Sequence, residues 1–248
     1  IMDGSPATTA WVLDAGSVYR TTVAAAVTVN AVIVDDVPVT EAASRAAMSV
    51  PTWFQAGVTL YLWVPAGDSP ANHVVGILDD TPAAGSWQGF SFETYAYITL
   101  DGFVIRHSPY AGITLPSGGA LGTRVFNCEV KFSWKHGILG NGSIGALIQG
   151  NNVHDCVTEN WERLNTSGGW ASGINPLLSS AITIVNNVSH NNNGEGICLT
   201  RSGGVQVLQN TVYDNWGVNI YFDGASYSLA DSNLLYVTFN EPVTSITA

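Results

Sequence analysis

Charge is what this sequence is shortest of. Only 11% of its 248 residues are Asp, Glu, Lys or Arg, less than half of the ~25% usual for soluble domains. Lysine is reduced to Lys131 and Lys135, and eight Lys and Arg face nineteen Asp and Glu, giving a net charge of −11. So acidic a chain lacks the basic footprint that nucleic acid needs, and it offers nothing to an anionic membrane surface. Cysteine is scarce as well. Cys128, Cys156 and Cys198 are too few for a disulfide scaffold, and their odd number leaves at least one thiol free. No apolar run approaches the ~20 residues of a membrane-spanning helix. No signal peptide stands at Ile1, which reads as the start of a processed or excised chain.

What is present is apolar, glycine-rich and amide-rich. Hydrophobic residues make up 46% of the chain, enough for a sizeable core. Twenty-six glycines and many asparagines point to a turn-rich, all-β chain. Asn, Ser and Thr supply the polar surface in place of Lys, a composition that fits an extracellular protein or one on a cell or virion surface. The asparagines are unevenly spread: two in residues 1–96 and seventeen in residues 97–248. That asymmetry marks two regions and exposes a repeat.

The repeat aligns Phe103, Cys128, Asn151, Asn187, Asn210 and Asn233, at spacings of 25, 23, 36, 23 and 23 residues. Three residues earlier stand Leu100, Val125, Ile148, Ile184, Val207 and Ala230. Two residues later stand Ile105, Val130, Val153, Ser189, Val212 and Leu235. A Gly-Ile pair closes most repeats, as at Gly112-Ile113, Gly137-Ile138, Gly173-Ile174 and Gly196-Ile197. The one long spacing carries a 13-residue insertion, within residues 156–169. A 23-residue period of short alternating segments with Gly and Asn turns is too short for helical hairpin repeats. It fits short strands stacked in parallel coils about 4.8 Å apart. The four repeated asparagines then form an internal amide ladder.

The segments Tyr97–Arg106, Ala181–Asn187 and Asn210–Asn215 resemble right-handed parallel β-helix proteins of the pectate-lyase-like superfamily. The resemblance covers roughly residues 90–238 and implies a β-helix of about six coils within residues 97–248. Residues 1–96 read as an early coil at Ile1–Gly4 followed by a small β-sandwich-like inserted module. Its strands are expected in Ser17–Val23, Thr28–Val34, Thr59–Val64 and His73–Leu78, with turns at Asp35-Asp36, Ala66–Asp68 and Asp79-Asp80 and a short helix over Glu41–Met48. A β-xylosidase family with a β-sandwich inserted in its helix looks similar, although its catalytic motif has no match here. The superfamily includes lyases, glycosidases, epimerases, tailspikes and adhesins, so the resemblance implies carbohydrate chemistry only broadly.

Candidate chemistry lies in two places. Strand alternation turns the column Arg106, Lys131, His154, His190, Tyr213, Tyr236 outward. Its basic members could neutralise a uronate and take a proton, as a lyase requires; an ordinary surface face is the competing account. The insertion carries Glu159, Trp161, Glu162 and Arg163, with Trp170 beyond it. Tryptophans stack on sugar rings, and paired carboxyls serve a glycosidase. Glu195 shares a column with His136 and Ser172. The expected acid/base set is therefore Lys131, His154, Glu159, Glu162 and Glu195, with Arg106, Trp161, Arg163 and Trp170 binding substrate. The oxygen-rich column Asp155, Asn191, Asp214 is compatible with calcium, but no calcium loop is present and no specific metal site or cofactor is expected. The leading expectation is a glycoside hydrolase or polysaccharide lyase working along the helix flank. The alternatives are a non-catalytic structural or surface-assembly protein, self-associating end to end, and a glycan-binding module.

Overall fold

The computed structural model describes residues 1–5, 8–25, 27–79, 88–119 and 121–238. Three parallel sheets wind into a β-helix. The first has seven strands, running from Met2–Asp3 through Val104–Arg106, Glu129–Lys131, Asn152–His154, Val188–His190 and Thr211–Tyr213 to Leu234–Tyr236. The second has six, from Thr99–Asp101 to Leu229–Asp231, and the third has six, from Gln88–Ser91 to Ile220–Tyr221. Register follows the repeat: Lys131 pairs with His154, His154 with His190 and Ile138 with Ile174. The aliphatic columns fill the inside, where Ile105, Val130, Val153, Ile184 and Ile197 are fully buried.

Sequence chemistry fixes the corners between sheets. The residue before each ladder position has positive φ: Gly102, Asn127, Gly150, Asn186, Gln209 and Ser232. This left-handed residue turns the chain sharply and is tolerated best by Gly and Asn. The ladder residue then caps the turn. The backbone N–H and Nδ2 of Asn151 both donate to Asn187 Oδ1 at 2.9 Å. Asn187 does the same to Asn210 at 2.9 and 3.0 Å, and Asn210 to Asn233 at 2.9 Å. The four asparagines are thus stacked as the repeat predicts, and Asn151 Oδ1 extends the chain to the Cys128 N–H.

A second ladder occupies the corner after the first sheet. Cys156 N–H donates to Asn192 Oδ1, and Asn192 N–H and Nδ2 donate to Asn215 Oδ1. Asp155, Asn191 and Asp214 precede these residues with φ of 51, 53 and 52°. Their recurrence is that of left-handed corner residues, where Asp and Asn are favoured. Where Gly173 stands the coils approach too closely for a side chain. A Cβ there would lie 2.7 Å from both Asn192 Nδ2 and Ser189 Oγ.

Residues 12–79 form the module. It is one seven-stranded sheet curled over its own core rather than two stacked sheets. Strands Val12–Ala15, Val18–Thr22, Thr59–Trp63, Thr52–Ala56, Val37–Glu41, Val29–Val34 and Val75–Asp79 lie side by side in that order. Val29, Val32, Trp53, Leu60, Leu62 and Ile77 meet in the middle. Three of these strands, Val12–Ala15, Val37–Glu41 and Thr52–Ala56, lie outside the segments read from the sequence. The helix expected over Glu41–Met48 is instead a strand ending at Glu41 and a single turn at Arg45–Ala47. Eight residues repay helix nucleation poorly, and Ala42 N–H is already bound to Trp53 O at 2.7 Å. Asp80, of the expected Asp79-Asp80 turn, and the final residues 239–248 lie outside the described residues.

The early coil exists with a different register from that expected. The likeness of Met2-Asp3-Gly4 to Leu100-Asp101-Gly102 suggests a place in the second sheet, but Met2 and Asp3 pair with Ile105 and Arg106 in the first. The shift places Asp3 where it binds Arg106 (2.9 Å) and His107 (3.1 Å). Burial opposes the Asp3 carboxylate, yet bonds from His107 and Ser5 outweigh it and hold its pKa far below normal. The module packs on this corner: Ile33 and Leu78 meet Phe132 in one buried cluster. Gly76 sits so close to His107 that a Cβ would be 2.3 Å from the ring Nε2.

Candidate functional site

The outward column forms as expected along the first sheet. His154, His190, Tyr213 and Tyr236 stack ring on ring with centroids 4.9, 4.8 and 4.7 Å apart. Its cations are engaged by acids. Lys131 Nζ lies 2.6 Å from Asp36 on the module and 3.3 Å from Glu129. Burial would lower the Lys131 pKa, but these two carboxylates raise it on balance. His154 is held between Asp155 (2.7 Å) and Glu129 (3.3 Å). Arg106 is bound by Asp3. The column therefore ties the module to the helix and makes a paired surface stripe.

The insertion does build a site. Val157, with φ of 64°, turns the chain out of the corner into a short turn at Thr158–Asn160. Several bonds then fix the loop. Glu159 N–H binds Trp134 O, Glu159 Oε2 accepts from Lys135 Nζ at 2.7 Å, and Asn160 Nδ2 donates to Asn193 O at 2.8 Å. The loop and the module face one another across a cleft of about 410 Å³. One wall comes from the module, with Asn30, Pro38, Val39, Glu41 and Trp53; the other comes from the helix, with Trp134, Glu159, Trp161, Glu162 and Leu164. Trp161 is 39% exposed and Trp53 is buried. The cleft thus combines indole surface with three carboxylates in a loop-braced groove, a size and lining typical of small-molecule sites.

Of the expected residues, Glu159, Trp161 and Glu162 meet in this cleft, and the others lie elsewhere. Arg163 turns away, donating to Asn193 Oδ1 at 3.1 Å and lying 5.5 Å over the Trp216 ring. Trp170 packs on the helix core beside Gly194 and Gly217. Glu195 sits on the third sheet, where Ser172 N–H donates to His136 Nδ1 and Ser172 Oγ to Glu195 Oε2, both at 3.1 Å. All three are buried. Burial raises the Glu195 pKa and, helped by the Lys135 charge, lowers that of His136 to about 4, so a neutral imidazole and a carboxyl biased toward its protonated form share one buried array. Sequence reading missed Glu41, Trp53 and Trp134. Trp134 carried a signal, since it stands within four residues of Lys131 and Lys135 in the turn below the insertion; Glu41 and Trp53 carried none.

Among the described residues no group of three or more His, Cys, Asp or Glu is placed to hold a metal ion, and no helix is long and apolar enough to cross a membrane. Residues 111–245 match the family model of the right-handed β-helix region. The chain belongs to the right-handed β-helix family. The resemblance to pectate-lyase-like proteins therefore holds at the level of fold. Among solved structures, XylC in complex with xylose is similar over 94% of this chain and 57% of its own, with a TM-score of 0.59 and 14% identity. The enzymatically active domain of tailspike protein 2 from bacteriophage CBA120 is similar over 60% of this chain and 22% of its own, with a TM-score of 0.48 and 18% identity. This β-helix thus spans little more than half of one of these chains and about a fifth of the other. A search of curated proteins gives no match.

Proposed function

We propose that this β-helix is an extracellular or surface-exposed glycan-binding protein, and that it holds a sugar chain in the cleft between its module and its insertion. The observation that carries the reading is the convergence of Trp134 and Trp161 with Glu41, Glu159 and Glu162 on two facing walls. Indoles offer flat apolar faces to sugar C–H groups, and carboxylates accept from hydroxyls. Of the solved structures with a similar fold, one was obtained with xylose, in keeping with a sugar ligand.

Binding is favoured over catalysis because the outward cations Arg106 and Lys131 are committed to ion pairs. A uronate lyase would need some of them open to substrate. The competing reading is a glycosidase using carboxyls from the Glu41, Glu159 and Glu162 set, which share one cleft. Titration calorimetry of the chain against a panel of neutral, amino and acidic oligosaccharides separates these. Binding without product formation, weakened about tenfold or more by Trp161→Ala, is the expected result. Turnover that Glu159→Gln or Glu162→Gln abolishes would establish the glycosidase instead. No binding to any member, with the fold intact, would sink both.

A further inference from the structure

Resting on the glycan-binding reading above, we infer that the cleft selects amine-bearing sugars and rejects uronates. Its lining contains no Lys, Arg or His among the described residues, yet it carries Glu41 on one wall and Glu159 and Glu162 on the other. The cations around it are engaged, Arg163 with Asn193 and the Trp216 ring. Lys135 is spent on Glu159 at 2.7 Å, and Lys131 on Asp36 and Glu129. Glu41 and Glu162 have no ion-pair partner among the described residues and are both exposed. They therefore present carboxylates from opposite sides to whatever lies against the tryptophans. The whole chain, at −11, adds a negative field to the same approach path.

A uronate entering this cleft brings a carboxylate toward Glu41 and Glu162, which have no ion-pair partner among the described residues. A glucosamine residue brings an ammonium that donates to them in charge-assisted bonds. Its ring still stacks on Trp161 and Trp134, and a cation over an indole face gains further. N-acetylation removes the charge and keeps the ring. The acetylated sugar therefore isolates the electrostatic contribution from the stacking one.

The test is calorimetry of the whole chain with short oligomers of glucosamine, N-acetylglucosamine and galacturonate, at low and at high salt and a pH where the amine is protonated. The glucosamine oligomer should bind about tenfold more tightly than the acetylated one at low salt, and high salt should shrink that gap by screening. Glu41→Gln and Glu162→Gln should each narrow the gap by weakening the glucosamine oligomer more than the acetylated one, and residual binding of the acetylated oligomer reports that the fold is intact. Equal affinity for acetylated and free-amine oligomers, or galacturonate binding as well as glucosamine, would overturn the selectivity and leave the cleft a glycan site. If none of the oligomers binds, the glycan reading itself falls.

Discussion

Asn187 shows how one side chain can serve several coils. Its Oδ1 accepts two bonds from Asn151, and its Nδ2 donates to Ile148 O, Val185 O and Asn210 Oδ1. Asn187→Ala leaves the buried Asn151 N–H without its acceptor, leaves Asn151 Nδ2 with Val125 O alone, and removes the donor to Ile148 O, at about 1–3 kcal/mol for each group left unsatisfied. We expect a total loss of about 2–4 kcal/mol in urea unfolding. Asn233→Ala, at the less buried end of the ladder, should cost clearly less; equal costs would mean the ladder is not a cooperative element. The cysteines behave as small apolar groups. Burial pushes the Cys156 thiol up to about 12 and Cys198 up to about 11, and raises Cys128 as well. Thiolate is the reactive form, so all three should resist alkylation in the folded protein and react only on denaturation.

At the level of elements, the Gly-Ile column is a packing requirement of the third sheet. Gly173→Ala would press a methyl against Asn192, Ser189 and the Gly196 carbonyl, all within 2.8 Å. Overpacking of this kind costs about 1–3 kcal/mol, and here it would also strain the second ladder through Asn192. Thermal unfolding should show that loss, whereas Gly168→Ala in the insertion, with open space around it but positive φ, should cost only about 1 kcal/mol of backbone strain. The insertion is the opposite kind of element: its bonds to Lys135, Trp134 and Asn193 hold a surface rather than a core. Trp161→Ala should accordingly alter ligand affinity with little change in stability.

For the whole molecule, two histidines give stability opposite pH dependences. His73 lies between Asp35 (2.5 Å) and Asp68 (2.7 Å), and these bonds, Asp35 first, raise its pKa. The folded state therefore favours the imidazolium. That contribution is complete below the ordinary His pKa and is lost as pH rises through the raised value. His136 is buried and neutral, with its pKa lowered from 6.5 to about 4. Its unfavourable protonation is felt only by the folded chain, so stability declines as pH falls from about 6.5 toward about 4, by up to about 3 kcal/mol. Unfolding followed across pH should show a maximum near neutrality or slightly below. His136→Gln should flatten the acid limb and His73→Gln the alkaline limb; a profile unchanged by both would refute the assignment. The Asp35-Asp36 turn links this histidine to the helix, because Asp36 binds Lys131.

The helix was legible in the sequence because its contacts are periodic. Each residue of a coil meets its equivalent one coil away, so Asn151, Asn187, Asn210 and Asn233, the aliphatic columns and the Gly-Ile pairs carry their own spatial neighbours as a sequence spacing. The order of the outward column followed from the same rule, and so did the position of the insertion. The cleft obeys no such rule. Asn30 to Trp53 and Trp134 to Asn165 share no period and meet only because Ile33, Leu78 and Phe132 bury one another where the module docks. The fate of the basic column was decided in the same way. Arg106 and Lys131 look like open cations along the chain, but Asp3 and Asp36 reach them across about 100 residues of sequence. Local spacing determines which side chains share a face; only the docking of a non-periodic module determines which of them still face solvent.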